Sequence, residues 1–99
     1  MLPLRQEDVG MIRLRLFSSL REIAGSKDVE IEGEELSIGQ ALEAFAGRYE
    51  KAKEVLFDKD GRLFASVLLL VNGESTDGGA AARVRSGDVV SVLLPTAGG

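Results

Sequence analysis

Between Ser37 and Tyr49 the apolar residues Ile38, Ala41, Leu42, Phe45, Ala46 and Tyr49 recur at helical spacing, and nothing else in this 99-residue chain reads so clearly as a helix. Ser37 and Gln40 have the S-x-x-Q spacing of a capping box, which satisfies otherwise unpaired amides at a helix start. Gly47 weakens the helix by about 1 kcal/mol relative to alanine, so the stripe has to be held by what it packs on. A helix with one apolar stripe needs one apolar surface to cover. The flanking segments supply it as strands.

Met11 to Phe17 reads M-I-R-L-R-L-F, with Ile12, Leu14 and Leu16 alternating against Arg13 and Arg15. That period of two marks a half-buried strand. Ser18 is expected to cap a short helical turn, Leu20 to Ala24, closed by Gly25. Lys27 to Glu32 alternates again, Val29 and Ile31 against Glu30 and Glu32, and predicts a strand antiparallel to the first. After the long helix, polar Arg48, Glu50, Lys51, Lys53 and Glu54 lead into a short Val55-Leu56-Phe57 segment. Phe64 to Val71 is expected to be a strand, apolar on both faces over Val67 to Val71 as in a sheet interior. Asn72-Gly73 is a strong turn signal. Thr76 to Ala82 is rich in glycine and alanine and reads as irregular, with a short edge strand near Ala81 to Val84. Ser86-Gly87-Asp88 turns the chain into a last strand, Val89 to Leu94, ended by Pro95. One sheet crossed on one face by one main helix is an α+β roll.

Composition narrows the chemistry. The chain has no cysteine, histidine or tryptophan. It therefore has no disulfide, no zinc–thiolate site and no catalytic thiolate, and it lacks the commonest near-neutral acid/base group. A carrier or a binding module is a better expectation than a self-sufficient enzyme, and no catalytic residue is assigned. The net charge of −4 argues against direct nucleic-acid binding. Asp58-Lys59-Asp60-Gly61 offers D-x-D-G, but no glutamate closes the loop as in an EF-hand, so it reads as a turn and no metal site is expected. No apolar run approaches the length of a membrane span, and residues 1–10 lack a signal-peptide core. A cytoplasmic protein is expected, without membrane contact. Residues 1–10 read as a disordered leader, a tag remnant or an over-extended start before Met11; residues 11–94 read as the domain, and 95–99 as a flexible tail.

That tail is Pro95-Thr96-Ala97-Gly98-Gly99. Two glycines carry no side chain to obstruct passage through a narrow channel, and they present a bare carboxylate suited to activation by a partner. A frayed end or a fusion remnant is the plainer alternative. Extended, Thr96 to Gly99 reach roughly 13 Å past the last strand at ~3.3 Å per residue.

Phe17-Ser18-Ser19-Leu20-Arg21-Glu22-Ile23-Ala24-Gly25 resembles the F-x-x-L-R-E-x-x-G segment of the MoaD/ThiS sulfur carriers. Ser37-Ile38-Gly39-Gln40-Ala41-Leu42 is similar to their T-V-x-x-L-L helix. Val71-Asn72-Gly73, then Ser86-Gly87-Asp88-Val89-Val90, then Pro95-Thr96-Ala97-Gly98-Gly99 resemble their V-N-G, D-G-D-x-V and P-P-V-x-G-G signatures in the same order. The resemblance covers about residues 11–99 and implies the β-grasp, ubiquitin-like fold, with first and last strands parallel and adjacent. The Asp58-Lys59-Asp60-Gly61-Arg62-Leu63-Phe64 insertion is similar to that of archaeal members, which include the small archaeal modifier proteins. Leu94 departs from the pattern, standing where many members have the first proline.

The resemblance implies a carrier that binds no cofactor itself. A ubiquitin-activating-type adenylating enzyme, using ATP and magnesium, would act on the Gly99 carboxylate, with Gly98 giving clearance and Thr96 and Ala97 lining the enzyme's channel. Sulfur from a donor protein would then give a thiocarboxylate, or target-protein lysines would take the chain in isopeptide linkage. Two alternatives stand beside this: the small subunit of molybdopterin synthase, partnered by the large subunit, and a β-grasp interaction module with an inert tail. Phe64, Leu69 and Leu93 are candidates for an apolar partner surface on the sheet face away from the helix, core packing being the commoner fate of such side chains. Arg13 and Arg15, on the same face, are candidates to meet an acidic partner, with solvated strand charges as the alternative.

Overall fold

The computed structural model describes residues 10–94. The first strand, β1 (Met11–Leu16), buries Ile12, Leu14 and Leu16 on one face and exposes Arg13 and Arg15 on the other, as the alternation predicts. A short helix, α1 (Ser19–Ala24), follows; Gly25 closes it in the left-handed conformation and donates its N–H to the Arg21 carbonyl. Ser18 does not cap it. Its φ of 56° departs from the extended conformation usual at a capping residue, and no side-chain cap bond forms. β2 (Asp28–Glu32) then returns antiparallel to β1, in the register Leu14↔Val29 and Ile12↔Ile31.

The main helix, α2 (Ile38–Arg48), starts on the expected capping box: the Gln40 N–H donates to Ser37 Oγ at 3.1 Å, and the Ser37 N–H donates to Gln40 Oε1 at 2.9 Å. Ile38, Ala41, Leu42, Phe45 and Ala46 are buried, and the Phe45 and Tyr49 rings lie 5.3 Å apart. Gly39 admits the close approach of a 3-10 turn (Gly79–Ala81), since a Cβ there would stand 3.3 Å from the Ala80 carbonyl oxygen.

Two elements were not legible in the chain's pattern. β3 (Glu35–Ser37) pairs with β6 (Arg83–Arg85) as a separate two-stranded sheet; β6 overlaps the edge strand expected near Ala81 to Val84 at Arg83 and Val84, and β3 was not expected. A third helix, α3 (Glu50–Leu56), replaces the expected polar lead-in; Ala52 and Leu56, one helical turn apart, are fully buried. β4 is also shorter than expected. It spans Leu68–Val71, while Phe64 to Val67 form a turn in which the Val67 N–H donates to the Phe64 carbonyl. After the Asn72-Gly73 turn, β5 (Glu74–Ser75) pairs back on β4, and β7 (Val89–Leu93) completes the sheet.

The five-stranded sheet has the order β2-β1-β7-β4-β5. β7 lies at its centre, parallel to β1 and antiparallel to β4. One core contains the buried side chains of β1, β2 and α2, with Leu20, Ala52, Leu56, Phe57, Leu69, Val84, Val90 and Val92. The observed architecture is therefore α+β, with a mixed sheet and three α-helices among the described residues.

Candidate functional site

The sheet face away from α2 is organised by strand alternation. Ile12, Leu14, Leu16, Val90, Val92 and Leu69 point inward, so their neighbours Arg13, Arg15, Val89, Ser91, Leu93, Leu68 and Leu70 occupy the outer face. Registered pairs set them in rows: Arg13 beside Val89, Arg15 beside Ser91 and Leu70, and Leu93 beside Leu68. Leu68 is 54% exposed, more than Phe64, the other exposed large apolar residue among the described residues.

This geometry corrects the expected apolar surface. Leu69 is 6% exposed and belongs to the core. It pairs with Val92, an inward residue, so it points the same way. Phe64 is 39% exposed but stands beside α3; its N–H donates to the Leu56 carbonyl at 2.8 Å, and it lines a shallow groove with Lys53, Glu54, Phe57 and Asp58. Of the three expected residues only Leu93 is on the outer sheet face, and its apolar companions are Leu68 and Leu70. The run Val67 to Val71 is apolar at every position, so the sequence gives no phase. The phase is set by the register against β7, where Ser91 marks the outer side.

Arg13 and Arg15 do sit on that face, and each is engaged. The Arg13 guanidinium donates to Glu30 Oε2 at 3.2 Å, and Arg15 Nε donates to Asp28 Oδ1 at 3.2 Å. Both pairs are about half exposed, and such pairs contribute less than about 1 kcal/mol, so they are easily exchanged for another carboxylate. In the 58–62 turn, Asp58 Oδ1 accepts from the Asp60 and Arg62 N–H groups at 2.8 and 3.0 Å, which makes that carboxylate a turn cap.

β7 carries the chain through Leu93 to the half-buried Leu94, which packs against the core. Thr96, Ala97, Gly98 and Gly99 lie outside the described residues. A model described as the ThiS family matches residues 14–99, from within β1 through that final glycine. The chain belongs to the ThiS family.

It is 33% identical over 86 residues to small archaeal modifier protein 1 of Haloferax volcanii, covering 86% of this chain and 97% of that relative. It is 32% identical over 90 residues to a candidate sulfur carrier protein of Archaeoglobus fulgidus, covering 89% of this chain and 98% of the relative. The crystal structure of SAMP1 from Haloferax volcanii matches with a TM-score of 0.80 at 30% identity, over 91% of this chain and all of that one. The fold of this ThiS-family chain is the ubiquitin-like β-grasp, with β1 and β7 parallel and adjacent as that fold requires.

Proposed function

We propose that the chain is a ubiquitin-like protein modifier and sulfur carrier whose working group is the Gly99 carboxylate. The observation that carries this reading is the family match over residues 14–99, which takes in Gly98 and Gly99 behind a last strand paired on both sides. A carboxylate oxygen attacks the α-phosphorus of ATP in a separate adenylating enzyme, and pyrophosphate leaves. Magnesium held by that enzyme offsets the phosphate charge. The acyl-adenylate then meets one of two nucleophiles. Attack by a persulfide sulfur expels AMP, and reductive cleavage of the resulting acyl disulfide by a thiol leaves a thiocarboxylate. Attack by a lysine amine expels AMP and leaves an isopeptide bond.

The chain's own residues contribute binding and clearance in this scheme. Leu68, Leu70 and Leu93 offer the enzyme an apolar surface beside the strand end. Arg13 and Arg15 can exchange Glu30 and Asp28 for carboxylates of the partner. Thr96 and Ala97 traverse the channel, and Gly98 gives clearance near the nucleotide. We place this activity in the cytoplasm, where the ATP and reducing thiols it needs are at hand; separately, no helix among the described residues is long and apolar enough to cross a membrane. Leu94, in place of the first proline of the family's tail, disfavours dedicated service as a molybdopterin synthase small subunit.

Intact mass after incubation with the adenylating enzyme, ATP, magnesium, a persulfide donor and a thiol tests the reading. Replacement of one oxygen by sulfur marks the carrier role, and adducts on target lysines mark the modifier role. An unchanged mass with no adducts would leave an inert interaction module.

A further inference from the structure

Two turns far apart in the chain are joined by a side-chain clasp. Asn72, at the end of β4, has φ 53°, in the left-handed region, and Gly73 follows at φ 87°. The Asn72 N–H donates to the Val89 carbonyl at 2.8 Å, and Asn72 Oδ1 accepts from the Val89 N–H at 3.0 Å. Asn72 Nδ2 donates to Asp88 Oδ1 at 3.1 Å, while Asp88 Oδ2 accepts from the Arg85 N–H at 2.8 Å. The Asp88 carbonyl accepts from the Arg13 N–H at 3.0 Å. An N–H on one side and a carboxylate on the other permit only one orientation of the Asn72 amide. The start of β7 is thereby tied to β4 through Asn72, to β6 through Arg85 and to β1 through Arg13.

β4 needs such a tie. Leu68 to Val71 are all apolar, and β7 is apolar at every position but Ser91. A strand apolar on both faces specifies its register weakly, and a slip of one residue turns every side chain to the opposite face. In β4 that slip would carry Leu68 inward and Leu69 outward, parting Leu68 from Leu93. Hydrophobic burial discriminates poorly between two leucines. A polar clasp with fixed donors and acceptors discriminates well.

We propose that Asn72 and Asp88 are positioning residues that lock the β4–β7 register and so hold Leu68 beside Leu93 on the docking face. This rests on the proposed activation by an adenylating enzyme, whose docking that face serves. Neither residue touches the reacting carboxylate; they act through Leu68 and Leu93.

The test is a double-mutant cycle. Asn72→Asp sets two carboxylates against each other. Asp88→Asn leaves one acceptor oxygen for two donors, the Asn72 NH₂ and the Arg85 N–H, so the new NH₂ is set against one of them. The double exchange restores one donor and one acceptor at each contact. In ATP–pyrophosphate exchange with the cognate adenylating enzyme, each single variant is expected to raise the apparent KM for the carrier about tenfold, with kcat within about twofold, and the double variant to return within about twofold of the parent. Gln40→Ala, which breaks the α2 capping box on the other side of the molecule, controls for lost stability and should leave KM unchanged. Single variants with the parent KM, a double variant in which the losses add, or an equal KM rise in Gln40→Ala would overturn the proposal. Should the parent itself support no exchange, the activation reading fails and the clasp is judged by hydrogen exchange at the Val89 amide. There we expect exchange about tenfold faster in each single variant and parent-like in the double; equal rates in all four would refute it.

Discussion

Leu68 and Leu69 are chain neighbours of the same type with opposite surroundings, and only the strand phase separates them. Leu69 lies among core side chains, whereas Leu68 is more than half exposed. Leu69→Ala should therefore cost about 2–5 kcal/mol in urea unfolding, and Leu68→Ala no more than about 0.5 kcal/mol. Equal losses would put the two residues on the same footing and invalidate the outer face as drawn. Phe45 stands in the same relation to α2 as Leu69 does to β4. It is fully buried, and it was legible in advance because it sits in the middle of a stripe with a single phase. Phe45→Ala should lower stability by roughly 3–5 kcal/mol, measured as a shift of the unfolding midpoint. A parent-like midpoint would mean that the stripe does not face the sheet.

The elements differ in how plainly the sequence announces them, and the difference has a physical source. α2 has five buried residues at helical spacing and both halves of a capping box, so pattern and local hydrogen bonding agree. Ser37→Ala should remove the Oγ acceptor for the Gln40 N–H and cost about 1 kcal/mol; thermal unfolding identical to the parent would show that the box adds nothing to this helix. α3 has only Ala52 and Leu56 fully buried, and Tyr49, at the N-cap position before it, makes no side-chain cap bond. Its helicity is sustained by packing against α2 and α1, which no local window of sequence reveals. β3 and its pairing with β6 are hidden for a related reason, although an edge strand near Ala81 to Val84 is expected from the sequence. Three-residue strands with one buried side chain in β6, Val84, carry too little alternation to read, and their pairing joins segments nearly fifty residues apart. Legible elements here are those whose stabilisation is local and periodic. The candidate site divides along the same line: Arg13 and Arg15 were placed correctly by clean alternation in β1, whereas the apolar residues of β4 needed a register that only the folded sheet supplies.

At the scale of the whole molecule, the strand order places the final strand in the middle of the sheet, bonded to β1 on one side and β4 on the other. A central strand cannot shift without breaking two ladders, so the point at which the chain leaves Leu93 is fixed relative to the outer face. Reach beyond that point is then a matter of residue count. Deleting Gly98 and Gly99 withdraws the terminal carboxylate by roughly 7 Å at ~3.3 Å per residue, against the ~1 Å misplacement that already damages catalysis. Neither glycine has a side chain to contribute to the core, so the truncated chain should unfold at the parent's midpoint. It should nonetheless lose ATP–pyrophosphate exchange with the adenylating enzyme, because the α-phosphorus is out of range while docking through Leu68 and Leu93 is intact. Binding of the truncated chain should persist and inhibit exchange by the full chain. That combination separates a lost reach from a lost fold, and exchange at the parent rate by the truncated chain would rule out Gly99 as the activated group.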